Sequence, residues 1–197
     1  MKIIKSLFLF LFIFNTVDSW AQEEGEERKG FDKSRLFYGG NFGMSFGDFT
    51  FINISPQVGY RLNRYFAAGV GVNGQYTNIK TRINGQTIDR QEYGVAGMNV
   101  FGRVYPIPQI FAQVQPELNY IWGNYKYYLN PPSESTLNAK ILPSMLIGAG
   151  GALPMGRAGA LLLMLQYDVL NKNGTFSDPG TPYGSRLFYS IGFSVGM

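Results

Sequence analysis

The 197-residue chain contains no cysteine and no histidine, and only two tryptophans. Without thiols it can build no disulfide framework and offers no thiolate as nucleophile, so its stability has to come from hydrogen bonding and packing. Without histidine, neither a Ser-His-Asp nor a Cys-His arrangement can be assembled, and the nitrogen and sulfur ligands that zinc favours are missing as well. A carboxylate pair is the remaining catalytic option, yet Glu117 and Asp168 fall on non-adjacent segments with no companion acids. The chain therefore reads as non-enzymatic, with no cofactor and no metal. Charge is sparse too. The 17 basic and 13 acidic residues are scattered rather than gathered in a stripe, so no nucleic-acid partner is expected.

Long hydrophobic runs are equally scarce. "LFLFLFIF" at residues 7–14 falls well short of the roughly 20 residues a helix needs to span a bilayer. It follows the basic start Met1, Lys2 and Lys5 and precedes Ser19-Trp20-Ala21, small residues at the two positions a signal peptidase reads. Residues 1–21 are thus expected to be a cleaved secretory signal peptide. Residues 22–34, "QEEGEERKGFDKS", are charged and almost free of apolar side chains, too few to offset ordering entropy, and are expected to form a flexible periplasmic leader. The apolar stretch "ILPSMLIGAGGALPMGRAGALLLML" (141–165) carries five glycines with Pro143 and Pro154, which make a continuous helix costly. Two strands, about 140–152 and 159–170, turning at Pro154-Met155-Gly156-Arg157, fit it better.

What the sequence has in abundance is alternation. In "IFAQVQPELNYIW" (110–122) Ile110, Ala112, Val114, Pro116, Leu118, Tyr120 and Trp122 interleave with Phe111, Gln113, Gln115, Glu117, Asn119 and Ile121. A period of two puts the two sets on opposite faces of a strand. The same pattern recurs from residue 35 onward. The greasy face holds Leu36 to Phe46, then Ile52 to Tyr60, then Phe66 to Val72, each by even positions. Asn84-Gly85 between polar arms marks a hairpin. In the returning strand, about 91–105, Asn99 and Arg103 share the odd face while Ala96, Met98, Val100, Gly102 and Val104 make the even one greasy. Residues 123–138 read as a long loop. The last strand alternates from Leu187 to Met197, which brings the count to eight.

The polar face decides between a soluble sandwich, a soluble barrel and a membrane barrel. It is Gly, Ala, Ser, Asn and Gln rather than Lys, Glu and Thr, as a narrow closed interior requires. Aromatics gather near strand ends: Tyr60, Tyr65, Phe66 and Tyr105 at one, and Phe46, Phe49, Tyr76, Tyr120, Trp122 and Tyr125 at the other, as in the girdles of membrane barrels. Connections on the side of the termini are short (62–65, 106–109, 153–158), and three of the four opposite are long. The expectation is an all-β, eight-stranded antiparallel up-and-down transmembrane β-barrel over residues 35–197, in the outer membrane, its termini periplasmic and its greasy face on lipid. Pro56, Pro116 and Pro143 fall within strands, where local bulges are expected.

Eight strands enclose a lumen just wide enough for side chains to fill. Its expected charges are Arg61, Arg103, Glu117, Asp168 and Arg186, with Asp168 facing Arg186 and Glu117 reaching Arg103 or Arg61, a structural plug of paired charges. The alternative is a narrow channel for small solutes or ions. Exposed contact candidates are Lys80, Arg82, Asn84 and Gly85 in the hairpin, Tyr125, Tyr127 and Tyr128 in the next loop, and the last loop with Gly174, Pro179 and Pro182. The tyrosines suit a protein or glycan partner and equally suit an interfacial girdle.

From Arg35 on, the chain resembles the small outer-membrane β-barrel domains of the OmpA/OmpX type, especially the single-domain outer membrane beta-barrel proteins of Bacteroidota-like bacteria. "GYRLNRYFAAGVGV" (59–72) is similar to their strand, tight turn, strand unit. The terminal "SIGFSVGM" resembles the assembly signal of such barrels through Ser190, Gly192, Val195 and a final apolar residue. That residue is usually aromatic, and here it is Met197. The resemblance implies contact with the outer-membrane assembly machinery during biogenesis and a structural or interaction role. A further option is an accessory subunit of a larger envelope complex.

Overall fold

The computed structural model describes residues 32–156, 159–171, 180–183 and 187–196. The expected signal peptide, most of the leader, Arg157, Gly174, Pro179, Arg186 and Met197 lie outside the described residues. The chain divides into two units at residue 32, and the second, Lys33–Met197, holds every described strand.

Eight antiparallel strands follow one another up and down and close on themselves: β1 Leu36–Ser45, β2 Phe49–Arg61, β3 Phe66–Ile83, β4 Gln86–Ile107, β5 Ile110–Tyr127, β6 Ser133–Met155, β7 Gly159–Asp168 and β8 Phe188–Val195. The all-β, eight-stranded, antiparallel up-and-down closed barrel is that expected, and the parity of the sequence sets the faces. Even positions of β1 to β5 and odd positions of β6 from Ile141 onward, of β7 and of β8 point outward; Val70 is 57% exposed and Met98 66%. Their neighbours in sequence point in, so that Gln57, Asn73, Asn99, Gln113 and Glu117 are buried.

One outward band is continuous round the wall. Its rows read Tyr38, Val58, Val70, Val100, Pro116 and Met145, then Gly40, Pro56, Val72, Met98, Leu118 and Pro143 on neighbouring strands. Between Phe66 and Tyr76 on β3, and between Ile110 and Trp122 on β5, no outward residue is charged or carries an amide. Tyr65 and Phe66 bound the band at one end, and Phe46, Phe49, Tyr76, Tyr120 and Trp122 bound it at the other, all exposed. Tyr105 does not join them. Its odd parity turns it inward, 5% exposed, where its ring packs 5.6 Å from Phe111.

The middle strands outrun the rest. β3 to β6 span 18 to 23 residues, against 8 to 13 for the others, and extend as a four-stranded apron past the distal rim. Residues 123–138 are therefore not the long loop expected. Tyr127 pairs with Ser133, and the turn between them contains the cis bond Asn130–Pro131. The neighbouring hairpin turns at Asn84 (φ 51°) and Gly85 (φ 78°), positive values at both central residues that match a type I′ turn and explain the Asn-Gly pair.

Pro56, Pro116 and Pro143 make no bulges, which corrects the expectation. Register shifts fall instead at Thr81/Arg82, Val104/Ile107 and Ile121/Gly123, near strand ends. Across Pro56 the β2–β3 pairing simply skips from Ile54 to Gln57, and across Pro116 the β4–β5 pairing skips from Glu117 to Val114, both without changing register. Pro143 sits beyond the last β6–β7 pair, Leu146 with Asp168, so no strand there requires its missing N–H. Pro56 and Pro116 border a shallow outer hollow of about 740 Å³ among Val72, Met98 and Leu118.

Candidate functional site: a hydrogen-bonded lumen

Inward residues stack in layers along the barrel axis. At the end where β1 begins and β8 ends, Phe37, Phe101, Tyr105, Phe111, Leu162 and Met164 form an apolar floor with small Ala67, Ala152 and Ala160 between them. Toward the distal end Val95, Ile121, Leu137 and Leu142 form a second apolar cluster. The polar belt between them is where the chemistry of the interior resides.

β5 supplies the spine of that belt, because Gln113, Gln115, Glu117 and Asn119 share its inward face at two-residue spacing. Arg103 Nε donates to Gln113 Oε1, and Gln113 Nε2 to Gln115 Oε1. Gln115 Nε2 then donates to Glu117 Oε1 at 2.6 Å. From the other side Asn99 Nδ2 donates to Asn73 Oδ1 (2.7 Å), Asn73 Nδ2 to Asn119 Oδ1 (3.2 Å) and Asn119 Nδ2 to Glu117 Oε2 (2.9 Å). Arginine only donates and a carboxylate only accepts, so these two ends fix the direction of every amide between them. All the dipoles point at Glu117. Gln57 adds a cross-brace by accepting from Arg103 Nη2 at 3.0 Å and donating to Gln115 Oε1 at 3.3 Å.

Arg103 and Glu117 thus communicate through glutamines rather than pairing directly, as one of the expected charge contacts would have had it. The guanidinium lies over three rings of the floor instead, its carbon 4.6 Å from the Phe101 centroid, 5.4 Å from Phe111 and 5.8 Å from Phe37. A desolvated cation gains about 2 kcal/mol from such faces. Arg61, the other expected partner of Glu117, stacks on Tyr105 at 5.6 Å.

Asp168 is fully buried, as placed from the sequence, but the groups that bond it are backbone amides. Its Oδ1 accepts from Met145 N and Leu170 N, both at 3.0 Å. It caps the point where β7 ends and β6 continues paired with β5 alone; Arg186 lies outside the described residues. The last loop contributes a plug. Thr181 is buried, the Tyr183 ring stacks on Phe188 at 4.8 Å, and Tyr183 Oη donates to Glu117 Oε2 at 2.8 Å. Pro182 is half-buried and borders a hollow with Phe51, Tyr183 and Phe188 rather than standing at an exposed tip.

The expected contact residues sit on the apron. Arg82 pairs with Asp48 at 3.2 Å and Lys126 with Glu134 at 3.0 Å; the Glu134 carboxylate, through its hydrogen bond and its charge, holds Lys126 above the ordinary lysine range. Lys80 anchors its backbone N–H on Asp48 O. Tyr127 and Tyr128 border a hollow of about 340 Å³ at the tip with Pro132, while Tyr125 is half-buried within the paired strands, away from the girdle. Ser190 points inward and donates to Gln166 Oε1 at 2.9 Å; Gly192 lies against Asn41 and Val195 faces outward.

Sequence reasoning missed the amides. Gln57, Gln113, Gln115, Asn73 and Asn119 carry most of the network, and their signal was present in the strict polar alternation of 113–119. Nothing in the sequence marked Tyr183.

The fold and its interior define a closed eight-stranded antiparallel barrel with an inward hydrogen-bonded belt between two apolar clusters. No protein-family model matches the chain, and no curated protein matches it.

Proposed function

We propose that the protein is a non-enzymatic integral outer-membrane barrel with a closed lumen, acting as a structural or interaction protein of the cell envelope. The observation that carries this reading is the outward band. Soluble monomers rarely expose contiguous apolar patches beyond a few hundred Å², whereas here Val58, Val70, Met98, Leu118, Ile147, Leu163 and Phe193 stand exposed on successive strands around the wall. Its height, Phe66 to Tyr76 on β3, matches the roughly 9–11 residues a tilted strand needs to cross hydrocarbon. Closure fits the same solvent, since an open edge would leave backbone groups without partners. The relay on Glu117 and the apolar floor support a brace rather than a pore, and the apron supports contact with a partner outside the membrane.

The absence of cysteine makes a direct test simple. Single cysteines at Val58, Val70 and Leu163, spin-labelled in reconstituted protein, should be accessible to oxygen and protected from a water-soluble nickel chelate. Labels immobilised and closed to both reagents would mean a dry protein core and end the membrane reading. In planar bilayers the purified protein should give no steady conductance, and Tyr183→Ala should stay silent because the amide belt below it persists. Stable ion-selective steps from the native chain would replace the brace with a channel.

A further inference from the structure

The wall is not equally sealed all round. Between β1 and β8 the paired register runs from Tyr38 with Val195 to Asn41 with Gly192 and stops, although β1 continues to Ser45 and β8 begins at Phe188. Continued in the same register, Met44 would face Tyr189 and Gly43 would face Ser190. Those residues instead pair only with β2 and β7. The glycines measure the parting. A Cβ on Gly39 would lie 2.3 Å from the Phe193 carbonyl oxygen of β8, whereas one on Gly43, four residues further along the same inward face, would meet only Phe51, at 3.3 Å.

A hollow of about 430 Å³ occupies the parting. Its outer lips are apolar and exposed: Phe42 and Met44 on β1, Tyr189 and Ile191 on β8. Its inner side is mixed: Asn53, Gln75 and Ser190 offer polar groups beside the rings of Phe51, Tyr183 and Phe188 and beside Pro182. The hollow therefore crosses the wall from the outer band to the lumen, in the half of the band nearer Phe46. Among the described residues none that lines it is charged.

Resting on the reading of that band as lipid-facing, we infer that the β1–β8 seam is a lateral binding site for a neutral single-chain amphiphile. The alkyl chain lies between the lips, and an uncharged hydroxyl- or amide-bearing head reaches Asn53, Gln75 and Ser190. Where the ladder stops inside hydrocarbon, no water is present to satisfy strand N–H and C=O groups, so an occupant that brings its own donors and acceptors is favoured over a bare hydrocarbon tail. Among the described lining residues a charged head meets no counter-charge, and its desolvation cost is heavy. The volume lies at the small end of ligand sites, which excludes a two-chain lipid.

Two measurements on the full chain test this. First, the double variant Tyr38→Cys/Val195→Cys should oxidise readily to a disulfide, and Met44→Cys/Tyr189→Cys should not, because bridging requires Cα atoms within about 7 Å. Equal rates would mean a zipped seam and no site, whatever solvent surrounds the barrel; failure of the membrane reading would show separately, in the spin-label accessibilities. Second, hexadecanol carrying a mid-chain diazirine, photolysed with the protein in nanodiscs, should label peptides 42–44 and 189–191 several-fold above the equally exposed Val70 and Leu163. Unlabelled hexadecanol should compete and hexadecanoate should compete poorly. Gly43→Leu or, from the other lip, Ser190→Leu should remove the enrichment in barrels that still show the gel shift of folded protein. Uniform labelling round the wall, or enrichment untouched by both folded variants, would overturn the assignment.

Discussion

Glu117→Ala should unfold in urea well before the native chain, with a loss of roughly 3 kcal/mol or more. The carboxylate accepts from Gln115, Asn119 and Tyr183, and each buried donor left without an acceptor costs about 1–3 kcal/mol. Losing a buried charge offsets part of that, so the total falls near the lower end of the sum. Glu117→Gln isolates the directional part of the argument. Its amide oxygen can still serve Asn119 and Tyr183, but its NH2 then meets the NH2 of Gln115. Turning Gln115 over only passes the conflict to Gln113 and on to Arg103, which cannot accept. One donor–donor clash remains somewhere in the chain, and the expected loss is about 1–2 kcal/mol. Urea titration in micelles, followed by tryptophan fluorescence and gel shift, reads both midpoints at unchanged slope. An alanine variant within about 0.5 kcal/mol of native would show that water replaces the carboxylate freely and that the belt is not a brace.

That network also marks where the sequence stops being informative. Parity alone located the inward faces, including Asn99, Arg103, Glu117 and Asp168, because an apolar outer band on one side of a strand and a polar closed interior on the other forbid a one-residue slip. Beyond the distal aromatics both faces are wet, alternation lapses, and the ladder continues unseen: Lys126 still pairs with Glu134 and Tyr127 with Ser133. This is why residues 123–138 read as a loop. The partners of the buried charges were illegible for another reason. Opposite charges invite pairing on paper, yet Glu117 is served by its own strand at two residues either side, and Arg103 by ring faces that count as apolar in the sequence. Tyr105 was misplaced by composition when its odd number already assigned it to the interior. Pro56, Pro116 and Pro143 were expected to distort the wall because proline breaks a ladder bond, but a skipped pair at an outward position leaves the register intact.

The second large effect should come from arginine placed along β3 and β4 at different depths. Val70 lies in a row midway between Phe66 and Tyr76 and is 57% exposed, so Val70→Arg buries no new group in protein and crowds no neighbour. In water such a substitution is worth about 0.5 kcal/mol or less in either direction. In hydrocarbon it costs about 2–4 kcal/mol at the midplane and about 0–1 near an interface, because only a side chain close to the edge can bring its guanidinium to the headgroups. The expected profile is therefore steep: a large loss for Val70→Arg and Met98→Arg, a small one for Val104→Arg at the terminal end of the band. All three sites face outward and are exposed, and the Glu117 relay's side chains lie on the opposite face. Depth is what distinguishes them. A flat profile, with all three near zero, would place water against the outer wall, and the apolar band would then have to be covered by protein instead.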